Sequence, residues 1–159
     1  MRVRLEVIGE REQPAAERLG RRAVVLQADL ADTAAAQRLV VDANAALGPL
    51  TLLVNNASLF QDDRVGALDP DLFDAHLAAN LRAPVFLAEA FAAQAKAGEA
   101  VVVNIVDQRV LRPNPQFFSY SLSKAALWSA TRTLAQALAP RVRVNAIGPG
   151  PTLASIHQT

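Results

Sequence analysis

The sequence predicts an open, doubly wound α/β sheet, and two observations carry that prediction. Short runs rich in Val, Leu and Ile alternate with Ala-rich stretches of helical spacing along the whole chain. Several of the short runs are apolar on both faces, which suits parallel strands covered on two sides. At 159 residues the chain is long enough for one domain with one core, and no internal repeat, low-complexity tract or linker interrupts it.

Taken in order, strands are expected at Val3–Ile8, Ala23–Gln27, Leu50–Asn55, Ala100–Val106 and Val142–Ile147. A short helix is expected at Pro14–Leu19. A clearer one spans Thr33–Leu47, with Thr33 as its cap and Gly48-Pro49 as its stop. Asp69–Lys96 reads as a long helix opening on Asp-Pro-Asp and closed by Gly98. Pro84 lies inside it and predicts a kink or break near Arg82-Ala83. Ser119–Leu138 forms the last helix, ended by Pro140. The longest loop, Asp107–Phe118, leaves the carboxyl end of a buried strand, the edge at which such sheets place ligands.

Composition narrows the function classes. Sixteen Lys and Arg face fifteen Asp and Glu, so there is no electrostatic case for nucleic acid or an anionic membrane. The lack of Cys excludes disulfides, thiol catalysis and thiolate metal sites. His76 and His157 are far apart with no carboxylate at ligand spacing, so no metal site is expected. Apolar runs are far shorter than the roughly 20 residues of a spanning helix, and the start carries no secretory pattern. A cytoplasmic protein acting on a small molecule is the expectation. Asp62-Asp63 and the pair Asp69 and Asp71 read as solvated loop and helix-start charges, and Trp128 as core or subunit-interface packing.

Tyr120 and Lys124 stand one helical turn apart on one face. A free phenol, with a pKa of about 10, is a poor proton shuttle at neutral pH, and a nearby ammonium favours the phenolate. The two are therefore a candidate acid/base pair, although Y-x-x-x-K alone recurs by chance. Context adds specificity. Val101–Val106 leads into Asp107, Leu53-Val54 leads into Asn55-Asn56-Ala57-Ser58, and Val144-Asn145-Ala146-Ile147 leads into Gly148-Pro149-Gly150.

With these elements in this order, the sequence resembles the short-chain dehydrogenase/reductase family. Its N-N-A-G motif matches Asn55–Ala57 with Ser58 in place of Gly, and its V-N-x-I-x-P-G motif matches Val144–Gly150. The resemblance implies a Rossmann-like domain that uses a nicotinamide cofactor. It implies catalytic roles for Tyr120, Lys124, Asp107 and Asn80. Cofactor contacts would come from Asp29, Leu30, Asn55, Ala57, Lys124, Pro149 and Gly150. By the same resemblance Asn80 would keep a water behind Lys124, and the long helices would join a homo-oligomer.

One departure is informative. The family's usual catalytic Ser, thirteen residues before the Tyr, is Asp107 here, as in the pteridine reductase branch, to which this chain is similar. That branch also carries N-N-A-S-x-F, matched by Asn55–Phe60, with an aromatic ring that stacks on the pterin. A carboxylate suits the N–H donors of a pterin edge, since a charged acceptor makes a hydrogen bond roughly twice as strong as a neutral one. Substrate contacts are accordingly expected from Phe60, Ser58, Asp107 and Tyr120, and the reaction as reduction of a pterin or dihydrofolate-like C=N bond. The alternatives are a truncated, non-catalytic homologue that acts through subunit association, and a generic carbonyl reductase.

The family's T-G-x-x-x-G-x-G turn, which holds the pyrophosphate, has no match, because Gly9 and Gly20 are isolated. Residues 1–159 are thus expected to form a single partial domain, incomplete at both ends. NADPH is expected from the branch, with Arg11 as a remnant of the basic signature. NADH stays open because Glu10 fits an acid on the ribose.

Overall fold

A computed structural model describes residues 22–96 and 100–150, with Arg18, Gly20 and Gly98. The expected strand Val3–Ile8, the helix Pro14–Leu19 apart from Arg18, the residues Gly9 to Arg11 and His157 lie outside the described residues.

Three parallel strands form one sheet in the order β1 (Leu52–Asn55), β2 (Ala100–Ile105), β3 (Val142–Ile147). Asn55 pairs with Asn104, and Val102 sits between Leu53 and Val144. Ala23–Gln27, expected as a strand, belongs to no ladder among the described residues. An apolar run becomes a strand only where a neighbouring backbone accepts its hydrogen bonds, and sequence pattern alone does not supply one.

Helix α1 (Thr33–Leu47) is capped one residue before its expected cap. Asp32, not Thr33, caps it, and the Asp32 carboxylate accepts from the Ala35 N–H at 3.0 Å. Asp outranks Thr at this position because its carboxylate also meets the positive end of the helix. Gly48 ends the helix at φ 90°, a conformation that favours glycine, and its N–H reaches the Asn44 carbonyl.

The long segment after Asp69 is broken as Pro84 predicts. Helix α2 (Pro70–Leu77) runs into one π-turn (Ala78–Arg82) and then helix α3 (Ala83–Gln94). Pro84 has no N–H to give and its ring crowds the carbonyl four residues earlier, so the turn widens and the Ala83 N–H reaches back to Ala78. Asn80 sits in the middle of that widened turn. Helix α4 (Phe118–Leu138) precedes β3.

One core joins these parts. Leu39 and Val40 of α1, Leu87, Ala88 and Phe91 of α3, and Val102, Val142 and Val144 of the sheet form a single buried cluster, with Leu134 and Leu138 of α4 against it. On the same sheet face Asn55 and Asn104 make a buried polar chain. Asn55 donates to Asn104 Oδ1 (2.8 Å) and to the Pro84 carbonyl (3.3 Å), and Asn104 donates to Thr131 Oγ1 (2.8 Å). Each buried amide is satisfied, so the chain fixes α3 and α4 against the sheet.

Candidate active site

The end of β2 and the first turns of α4 meet at one point. Asp107 follows β2 and starts a short 3-10 turn (Gln108–Val110), its Oδ1 accepting from the Arg109 N–H at 2.8 Å. Its other oxygen, Oδ2, accepts from the Tyr120 hydroxyl at 2.8 Å. Lys124, one turn further along α4 and 2 % exposed, donates from Nζ to the Ile105 carbonyl at 2.8 Å. Asp107, Tyr120 and Lys124 are thus brought together by the register of one helix on one strand end. Asp107 also lines a cleft of about 300 Å³ with Val106, Val110, Trp128, Ala146 and Gly148. Trp128 faces that cleft and carries the Arg132 guanidinium 5.6 Å over its ring.

The N-terminus of α4 is capped from a distance. Phe117, the residue before it, is left-handed (φ 54°) and makes no side-chain cap. The Asp63 carboxylate instead accepts from the Ser119 N–H at 3.0 Å, and the Asp63 carbonyl accepts from Phe118 N–H at 3.2 Å. Asp63 is buried, which corrects its reading as a solvated loop charge; Asp62, half exposed, pairs with Arg64 at 2.7 Å. Asp69 does cap α2, accepting from the Asp71 N–H. His76, fully buried, closes the same cluster. Its Nε2 accepts from the Gln61 N–H, so Nδ1 carries the proton toward Ser119 Oγ at 2.6 Å. Burial lowers the His76 pKa, opposed by the charge of Asp63.

Asn80 uses both ends of its amide. Oδ1 accepts from the Leu59 N–H (2.8 Å), while Nδ2 donates to the Leu59 carbonyl (2.9 Å) and to Ser123 Oγ (3.0 Å). Ser123 in turn donates to the Tyr120 carbonyl at 2.6 Å. These bonds run to the loop after β1 and to α4, not toward Lys124. They lock Ser58-Leu59-Phe60 against the helix that carries Tyr120.

That lock brings Phe60 to Tyr120. The two rings meet edge to face at 4.6 Å, and Phe60 stacks on Phe117 at 4.3 Å. Arg109 lies over the pair, 4.7 Å from the Phe117 centroid and 5.7 Å from that of Phe60. Sequence reasoning missed Arg109, Phe117, Ser119 and Asp63. Only the proximity of Arg109 to Asp107 along the chain could have flagged any of them.

The electrostatics differ from the sequence expectation in one respect. Tyr120 is pushed well above its ordinary pKa, first by burial and then by the hydrogen bond and charge of Asp107; the Arg109 guanidinium pulls the other way. Lys124, whose pull was expected to lower it, stands 5.9 Å from the ring centroid and is bonded to a backbone carbonyl. Burial brings Lys124 itself down to about 8, with Asp107 opposing the shift, so the amine is mostly protonated at neutral pH.

The remaining predicted residues are more dispersed. Asp29 turns back on the Ala31 N–H (2.9 Å), and Leu30 is buried in the core. The Asn55 side chain is committed to Asn104 and Pro84, and Ala57 packs beside the core. Ser58 donates weakly to the Leu59 carbonyl. The Pro149 carbonyl accepts from the Gln108 N–H, and Gly150 lies so close that a Cβ would stand 3.3 Å from the Gln108 side chain. Asp29-Leu30 precedes α1, whereas Pro149-Gly150 lies beside the 3-10 turn.

A parallel sheet with a Tyr, a Lys and a carboxylate at the carboxyl end of a strand puts these groups at the edge where open α/β sheets hold their ligands. The family model for short chain dehydrogenase matches residues 4–159, and the chain belongs to that family. FolM Alternative dihydrofolate reductase 1 from Brucella canis, solved with NADP, is 55% identical with a TM-score of 0.84 over 92% of this chain and 59% of that one. A short chain dehydrogenase from Burkholderia cenocepacia J2315, also with NADP, is 37% identical at a TM-score of 0.84, covering 92% of this chain and 61% of that one. The oxidoreductase YjdA of Bacillus subtilis (strain 168) is 34% identical over 139 residues, 85% of this chain and 55% of its own length. The chain therefore spans somewhat over half the length of these relatives.

Proposed function

We propose that this chain carries the catalytic part of an NADPH-dependent reductase that acts on a pterin or dihydrofolate-like C=N bond. The observation that carries the reading is the 2.8 Å hydrogen bond from the Tyr120 hydroxyl to Asp107, set beside the ring of Phe60. The 55% identity to a protein described as a dihydrofolate reductase, solved with NADP, supports both substrate class and cofactor.

The residues present fit such a cofactor. Lys124 gives one ammonium hydrogen to Ile105 and keeps two donors for ribose hydroxyls. Gly148 and Gly150 bring bare backbone alongside Asp107 and Gln108. Asn55, Ala57 and Pro149 border the same strand ends, and Asp29-Leu30 would meet the adenine. When bound, the nicotinamide supplies a hydride to the substrate carbon. Tyr120 supplies the matching proton to nitrogen, directly or through a water. Its raised pKa keeps that proton on the phenol at neutral pH. Asp107 accepts from the N–H groups of the ring edge and relays a proton taken up from solvent to the Tyr120 phenolate, while Phe60 stacks on the ring and Ser58 borders it. Asn80 positions the Phe60 loop against α4.

The same reading makes the protein a cytoplasmic homo-oligomer joined through its long helices. The apolar cleft along α2, the π-turn and α3, lined by Leu77, Leu81, Val85 and Phe86, supports the association.

The test is turnover by the full-length protein of dihydrofolate and dihydrobiopterin against simple ketones, followed by loss of NADPH absorbance. Preference for the pterins is expected, with F60A raising their KM about 3- to 10-fold, as loss of one aromatic contact implies. Ketone turnover with no pterin turnover would refute the reading.

A further inference from the structure

We propose that Arg109 is a positioning residue for proton transfer by Tyr120, holding a fixed positive charge over the Phe117–Phe60 stack that abuts the phenol. The inference rests on the reading of Tyr120 as the proton donor.

Arg109 is two residues past Asp107 in the 3-10 turn, and its backbone N–H fixes Asp107 Oδ1 at 2.8 Å. Through that contact the other oxygen is aimed at the Tyr120 hydroxyl. The side chain folds back over Phe117 and Phe60, and Phe60 in turn abuts Tyr120. One guanidinium nitrogen, Nη1, is shut off from solvent and has no hydrogen-bond partner. Its place against the ring faces accounts for this, since an aromatic face attracts a guanidinium where no oxygen is at hand. Among the described residues Arg109 makes no salt bridge, so no carboxylate directly paired with it cancels its charge.

A phenol that gives up its proton in this pocket leaves an anion next to Asp107. Burial and the carboxylate both oppose that state, and Arg109 favours it. Lys124 is anchored on the Ile105 carbonyl instead. A lysine at 109 would keep the charge but not the planar stacking, and a neutral residue would keep neither.

Tyr120 is the single tyrosine of these 159 residues, and Y120F assigns its resonance. The experiment replaces it biosynthetically with 3-fluorotyrosine, which lowers the intrinsic phenol pKa into a range where proteins stay folded. The ¹⁹F shift is then followed against pH with neither cofactor nor substrate present. In R109Q the midpoint should rise by about 0.5–1 pH unit, a three- to tenfold fall in the ionisation constant. R109M, which keeps an apolar stem on the rings, should do the same. R109K should return the midpoint most of the way to wild type. Wild-type midpoints in R109Q and R109M would overturn the proposal. So would an R109K midpoint displaced as far as theirs, which would assign the effect to packing. Because no substrate enters, failure here leaves the pterin reading standing, and loss of the pterin reading leaves this result intact.

Discussion

Replacing Asp107 with Asn tests the electrostatic heart of the site. The Tyr120 hydroxyl donates to Asp107 Oδ2 at 2.8 Å, and both the bond and the charge of that carboxylate hold the proton on the phenol. Asparagine is nearly isosteric and can still accept, so the change removes charge while keeping shape. A hydrogen bond to a charged group contributes about 1.5–3 kcal/mol and a neutral one about 0.5–1.5, a difference on the order of 1–1.5 kcal/mol. At 1.36 kcal/mol per pH unit this lowers the Tyr120 midpoint by about one unit, and the lost Coulomb repulsion adds to it. The assay is the ¹⁹F titration of 3-fluorotyrosine at position 120 in both proteins, with circular dichroism to confirm that the fold persists. A D107N midpoint equal to or above that of wild type would refute the reasoning.

Other predictions concern what holds the site. N80A strands the buried Leu59 N–H and carbonyl together with Ser123, and should cost about 2–4 kcal/mol in denaturant unfolding; a loss under 0.5 would contradict the locking role. D63A removes the side-chain cap of α4 and should cost about 1–2 kcal/mol, with amide exchange rising first at Ser119; unchanged protection there would contradict it. Lys124, at about 8 when folded against 10.5 unperturbed, is deprotonated earlier in the native than in the unfolded chain. The unfolded state then binds more protons, so stability rises between about pH 8 and 10.5, by roughly 3 kcal/mol in all. Tyr120, with its folded pKa raised, contributes stability that is lost as pH climbs above 10. Denaturant midpoints across this range should therefore peak near pH 10, and K124M should remove the rise; a flat profile in the wild type would contradict the Lys124 shift.

What the sequence made legible was carried by fixed spacing. Asp107, Tyr120 and Lys124 converge because a strand end and a helix of set periodicity leave little freedom between them. Pro84 announced its break through covalent geometry alone. What stayed hidden depends on tertiary partners. Asp63 looks solvated until α4 is seen to begin on a left-handed Phe117 with no cap of its own. Arg109 looks like a loop charge until Phe117 and Phe60 are stacked beneath it. Ala23–Gln27 has the composition of a strand and no ladder among the described residues to make it one. Asn55 fits a cofactor motif, yet its amide serves the junction of the sheet with α3.

The most direct measurement compares kcat/KM for dihydrofolate reduction by full-length wild type and D107S. Serine removes the carboxylate that accepts from Tyr120 and is proposed to meet the pterin edge, and leaves a hydroxyl able to serve a simple carbonyl. Pterin turnover should fall at least about tenfold, the equivalent of one charge-assisted hydrogen bond, while carbonyl turnover persists or rises. Equal dihydrofolate turnover in the two proteins would contradict the assignment of Asp107, and with it the pterin reading of the site.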